Sequence, residues 1–173
     1  MNKTTLHIIL LFLILVPIQA LVLNNIVLFN VAVPMVFIYL IITLPVTYSA
    51  NTAMTIGFIT GLAVDILSDT IGVNTLSSTI LAFVRRPVFH LYVPVDNDLA
   101  EQCPSIRNMG VASFLKYASS MTLIYCVVLF TIESLGCFNI GLYLLRIPMS
   151  AIYTFLLIYA LACLTPVRHE KRL

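Results

Sequence analysis

Residues 4–64 read TTLHIILLFLILVPIQALVLNNIVLFNVAVPMVFIYLIITLPVTYSANTAMTIGFITGLAV, without one Asp, Glu, Lys or Arg. Soluble domains carry roughly 25% charged residues, and none offers an uncharged stretch of this length. A membrane-spanning helix needs about 20 mostly apolar residues. The stretch holds two such runs, 6–23 and 26–46, and most of a third, 51–67. Asn24-Asn25 separates the first two. Ser68-Asp69-Thr70 and Gly72 close the third.

Working outward, three more apolar runs follow, over 72–92, 111–132 and 142–164. The predicted fold is therefore all-α: one polytopic membrane domain covering 1–173, six transmembrane helices in one compact bundle. Composition agrees, with 61% hydrophobic and 9% charged residues and a mean hydropathy of +1.06. So few bases leave no nucleic-acid footprint. The apolar content excludes disorder, and no polar segment is long enough for a soluble enzyme domain. The first run is read as a retained helix, since Ile18-Gln19-Ala20 makes a poor leader-cleavage site.

Basic residues set the orientation. With six spans, every basic residue except Arg146 falls on one side: Lys3, Arg85, Arg86, Arg107, Lys116, Arg168, Lys171 and Arg172. Both termini are accordingly expected to be cytoplasmic. The connection 93–110 is then a cytoplasmic loop, broken by Pro94 and Pro104 and read as a solvated connector, with a docking surface for a cytoplasmic partner as the alternative.

The sharpest pattern lies in the third run. Ala53, Gly57, Gly61 and Asp65 are spaced by four, on one helix face. Small residues let a neighbouring helix come close, so Ala53, Gly57 and Gly61 are expected to pack against another helix. Asp65 is an intramembrane carboxylate, and such groups seldom face lipid. Glu133 and Arg146 are expected at a similar depth, near the outer surface. An ion pair of Arg146 with Asp65 or Glu133 is expected, Asp65 being ranked first. Asn74, Thr75, Ser77, Ser78 and Thr79 make a polar start to the fourth run, either an interior face or the lining of a small cavity. No HExxH, GxSxG, GxGxxG or P-loop occurs, and Cys103, Cys126, Cys137 and Cys163 show no metal-site spacing. No catalytic residue, cofactor or metal site is expected.

The order of features resembles the rod shape-determining protein MreD family of bacteria. The matching pieces are Gln19, Pro34, then Gly57-Phe58-xx-Gly61-Leu62-xx-Asp65-Ile66 with Asp69-Thr70-x-Gly72, and Arg85-Arg86-Pro87. Pro104-Ser105, Gly110-xxx-Phe114-xx-Tyr117 and Phe130-xx-Glu133 follow. Where the family often carries His in the fifth helix, this chain has Tyr125-Cys126. The resemblance implies a non-enzymatic scaffold of the cell-wall elongation complex in the bacterial inner membrane. Its implied partners are an MreC-like one-span protein, MreB, RodZ, and the polymerase/transpeptidase pair of peptidoglycan synthesis, besides membrane lipid. The family fold is similar to that of the substrate-binding subunits of energy-coupling-factor transporters, which makes a small-molecule-binding transporter subunit the alternative. The first run has one Ala, Ala20, where those subunits present several small residues, and the outer loops are short.

Overall fold

The computed structural model describes residues 3–25, 33–70, 72–93, 103–134 and 140–164, and every element among them is helical. Helix α1 spans Lys3–Leu21 and ends in a 3-10 turn, Leu23–Asn25. Then come α2, Ile38–Ile42; α3, Ala50–Ser68; and α4, Val73–Tyr92. The one-turn α5, Ile106–Met109, leads into α6, Val111–Ser134, and α7, Ile140–Leu164. Among the described residues, three stretches are long and apolar enough to cross a membrane: Ala50–Ser68, Val111–Ser134 and Arg146–Leu164. Thr5–Leu21 of α1 is apolar but shorter. Helix α4 is as long as α3, but its polar first turns and its Arg85-Arg86 keep it out of that set.

The distribution of polarity is that of a chain solvated by hydrocarbon. Leu13, Ile66 and Leu91 are 67%, 71% and 77% exposed, while Gln19, Asp65, Asn74 and Arg85 are buried. Water would penalise that arrangement at both places, whereas lipid is matched by apolar faces and forces polar groups inward.

Local chemistry sets the helix ends. Ser49 caps α3, its Oγ accepting from the Thr52 N–H at 3.2 Å. The helix stops at Asp69, whose left-handed backbone (φ 53°) lets its N–H bond back to the Asp65 carbonyl. Gly72, at φ 69°, starts α4. The turn between them is only a few residues long, so α3 and α4 run antiparallel and pack along their length. Helix α4 also packs on α6, α6 on α7, and α1 on α3.

The second apolar run departs from expectation. Its first part, 26–32, lies outside the described residues, and the rest is not one helix. Residues 33–37 are irregular, α2 is five residues long, and 43–46 turn again. Two prolines are the reason. Pro34 and Pro45 each lack an N–H and disfavour helical backbone at the preceding residue, Val33 and Leu44. All five residues of α2 are at most 3% exposed. A helix apolar all round belongs in an interior, and α2 touches α1, α3, α4 and α6. With Phe37 and Leu44 it forms the centre of the core, against Leu81, Phe89, Tyr117 and Tyr125.

Candidate functional site

A buried α2 with irregular flanks creates a problem in an apolar interior, because its backbone groups have no water to bond. Side chains from four other helices supply the partners. Gln19 of α1 is fully buried, and its Oε1 accepts from the N–H groups of Val36 (2.8 Å) and Phe37 (3.4 Å). Its Nε2 donates to the Pro34 carbonyl (2.8 Å) and to Asn24 Oδ1 (2.9 Å). On α7, Ser150 and Thr154 sit one turn apart on one face. Their hydroxyl oxygens accept from the N–H groups of Val33 (3.2 Å) and Met35 (3.0 Å). At the other end, Arg85 of α4 donates to the carbonyls of Leu44 and Pro45. Tyr117 of α6 reaches the carbonyl of Ile42 at 3.4 Å. These carbonyls lie at and just beyond the C-terminal end of α2, where backbone acceptors otherwise go unmet.

The second polar centre joins α3 to α4. Gly72 brings no side chain to cap α4, and Asp65 of the preceding helix does the work instead. Five hydrogen bonds converge on its carboxylate. Oδ1 accepts from Thr70 Oγ1, Asn74 N and Asn74 Nδ2, and Oδ2 from Thr75 N (2.7 Å) and Thr75 Oγ1 (2.6 Å). An anion at a helix N-terminus also meets the positive end of the helix dipole. Tyr125 of α6 donates to Asn74 Oδ1 at 2.8 Å and so ties α6 into the same cluster.

The stripe of small residues and the polar start of α4 are the two sides of one interface. A Cβ on Gly61 would lie 2.6 Å from the Asn74 carbonyl oxygen and from Thr75 Cα, and one on Gly57 would lie 2.8 Å from the Ser78 carbonyl oxygen. Only glycine permits that approach. Ala53 completes the stripe at 1% exposure. Ser78 Oγ bonds the Gly57 carbonyl across the gap at 2.8 Å. Ser77 and Thr79 bond back to the carbonyls of Val73 and Thr75 within α4. Asn74, Thr75, Ser77 and Ser78 are buried with their polar groups engaged, as an interior face, while Thr79 is partly exposed and bonds only back to its own helix.

Arg146 is placed differently from the first-ranked expectation. It lies 3.5 Å from Glu133, and both side chains are partly exposed, at 39% and 51%. Asp65 is 3% exposed, with its oxygens taken by the start of α4. The expected Asp65–Arg146 pair is thus replaced by Glu133–Arg146. Adjacent helices α6 and α7 bring those two together, while the dipole and donors of α4 claim Asp65.

Sequence reasoning did not assign Gln19, Ser150, Thr154 or Arg85 to the broken segment. A lone Gln among apolar residues and an Arg inside an apolar helix are visible signals, but nothing local says that prolines in another run need them. The two centres meet near the end of α3, where Ser68 Oγ accepts from Asn24 Nδ2 at 2.6 Å. Among the described residues no cluster of His, Cys, Asp and Glu has the makings of a metal site. Comparison with protein-family models, with curated proteins and with solved structures finds no match.

Proposed function

We propose that this chain is a non-enzymatic scaffold of the MreD type, a component of the machinery that elongates the bacterial cell wall. In this reading it crosses the inner membrane six times with both termini cytoplasmic. Helices α1, α3, α4, α6 and α7 each make one crossing, and the run holding α2 makes the sixth. The chain would link an MreC-like one-span protein and MreB, with RodZ, to the polymerase/transpeptidase pair that makes peptidoglycan. The observation that carries the reading is the state of Asp65. An intramembrane carboxylate is expensive and is ordinarily kept for function. Here five donors from residues 70–75 close around it, so its role is to fix α3 on α4. A proton relay or a catalytic acid needs a carboxylate with room to exchange its partner. A scaffold needs rigid helices presenting a constant outer surface.

One observation favours the second reading, a small-molecule-binding transporter subunit. Broken helices at membrane depth often line ligand sites in transporters, and residues 33–37 are such a break. Its N–H groups at Val33, Met35, Val36 and Phe37 are already met by Ser150, Thr154 and Gln19, which supports the scaffold. Co-purification from a mild detergent tests the choice. Recovery of an MreC-like one-span protein is the expected result. Recovery of an ATP-binding cassette module would overturn it.

A further inference from the structure

Helix α4 packs on both α3 and α6, and each of those is long and apolar enough to cross a membrane. A bilayer that holds them holds α4 too. The belt that α4 shows to that bilayer is short. It begins at the α3–α4 turn, where Asp69 and Thr70 are exposed, and it ends at Arg86, also exposed. Leu76 and Phe83 lie between these limits, 50% and 58% exposed. Helix α4 starts at Val73, so Arg86 stands about 20 Å along it at 1.5 Å per residue. The hydrocarbon layer of an ordinary bilayer is about 30 Å thick.

No placement removes the shortfall. Sliding the molecule along the membrane normal moves the deficit from one leaflet to the other, and tilting α4 shortens its belt further. An acid or a water that meets the exposed guanidinium is itself polar and stands at the same depth, so pairing does not lengthen the belt. The neighbouring surfaces are longer. Helix α6 runs about 27 Å beyond Lys116, and α7 carries no charge from Ile147 to Leu164. On α4 itself Leu91 is 77% exposed, but it stands about 140° round the helix from Arg86. Only the Arg86 flank is short.

We propose that the Phe83–Arg86 flank of α4 thins the bilayer beside it, and that a short-chain phospholipid is its preferred neighbour. A short hydrophobic face is matched either by a thinner bilayer or by side chains that snorkel to the interface. An arginine can snorkel. Asp69, at the other limit of the belt, has too short a side chain to do so, and the lipid makes up the difference. The inference rests on membrane insertion and is independent of the scaffold reading.

The sequence has no tryptophan, so a single introduced one reports the lipid at its own position. The full chain carries either Phe83→Trp or, on the exposed face of α7, Leu156→Trp, a position 57% exposed. Each is reconstituted in vesicles where dimyristoleoyl-, dioleoyl- or dierucoyl-phosphatidylcholine competes with a brominated dioleoyl lipid, and fluorescence quenching gives the relative affinities. At Phe83→Trp the dimyristoleoyl lipid is expected to bind about threefold better than the dioleoyl, the worth of a few ångströms of mismatch. At Leu156→Trp the dioleoyl lipid is expected to bind at least as well. Arg86→Leu added to Phe83→Trp should move the optimum to the dioleoyl lipid, and Arg86→Lys, which keeps the charge, should leave it in place. The same optimum at both positions, or a short-chain optimum that survives Arg86→Leu, overturns the proposal. Absence of quenching at Phe83→Trp overturns it in favour of a protein partner that covers α4. Failure of the wild-type chain to enter vesicles would refute membrane insertion itself, whereas an ordinary chain-length optimum beside α4 refutes the thin belt alone.

Discussion

Gly61, Asp65 and Ser78 show how single residues set this interface. At Gly61 even a methyl group meets backbone at 2.6 Å, and backbone cannot swing aside as a long side chain does. Gly61→Leu is therefore expected to cost about 1–3 kcal/mol or more, the usual range for overpacking, read as a lower unfolding midpoint in detergent. Ser78→Ala keeps the close approach and loses one interhelical bond. Such bonds average about 0.6 kcal/mol in membrane proteins, so this variant should unfold close to wild type. Asp65→Asn retains the shape but replaces a charged acceptor by a group that is half donor. A loss of about 1.5–3 kcal/mol is expected, the range for hydrogen bonds to charged groups. A double-mutant cycle locates the partner. Asp65→Asn with Thr75→Val should cost less than the sum of the singles, and Asp65→Asn with Arg146→Gln should be additive within about 0.5 kcal/mol. Strong coupling in the second cycle would mean that the carboxylate answers to α7 rather than α4. The Glu133–Arg146 pair, half-exposed at 3.5 Å, should couple by about 1 kcal/mol or less.

At the scale of elements, the unusual piece is α2, a single buried turn whose ends are held by side chains of α1, α4, α6 and α7. Gln19 acts there as donor and acceptor together. Gln19→Leu leaves the Val36 and Phe37 N–H groups without their acceptor. Each unmet buried group costs about 1–3 kcal/mol. The expected outcome is a marked fall in thermal stability and faster proteolysis between α1 and α3 in detergent. A neutral Gln19→Leu would show that 33–37 is not held through α1. Arg85→Lys tests the other end. A lysine has a compact ammonium and cannot fork across two carbonyls as a guanidinium does, so it should recover only part of the stability that Arg85→Met removes. Equal stability of the lysine variant and wild type would show that charge alone suffices there.

At the scale of the whole molecule, the proposed six-span arrangement is open to a direct test. Single-cysteine variants at Asn25 and Lys171 should differ: the first reacts with a membrane-impermeant thiol reagent from outside, and the second does so only after the membrane is opened. Reaction at 171 in intact cells would reverse the topology. Much of the architecture was legible in the chain. The uncharged stretch 4–64 established the solvent, and the four-residue spacing of Ala53, Gly57, Gly61 and Asp65 marked a packed helix face. Helical spacing and the absence of charge are local properties, and one apolar solvent leaves a chain few ways to satisfy them. What the small stripe packs against, which donors surround Asp65, and why Gln19 and Arg85 sit in apolar helices were decided only by tertiary structure. Each joins residues far apart in sequence, and the need that each meets, an uncapped α4 or a proline-broken segment, arises only when the helices have assembled around it.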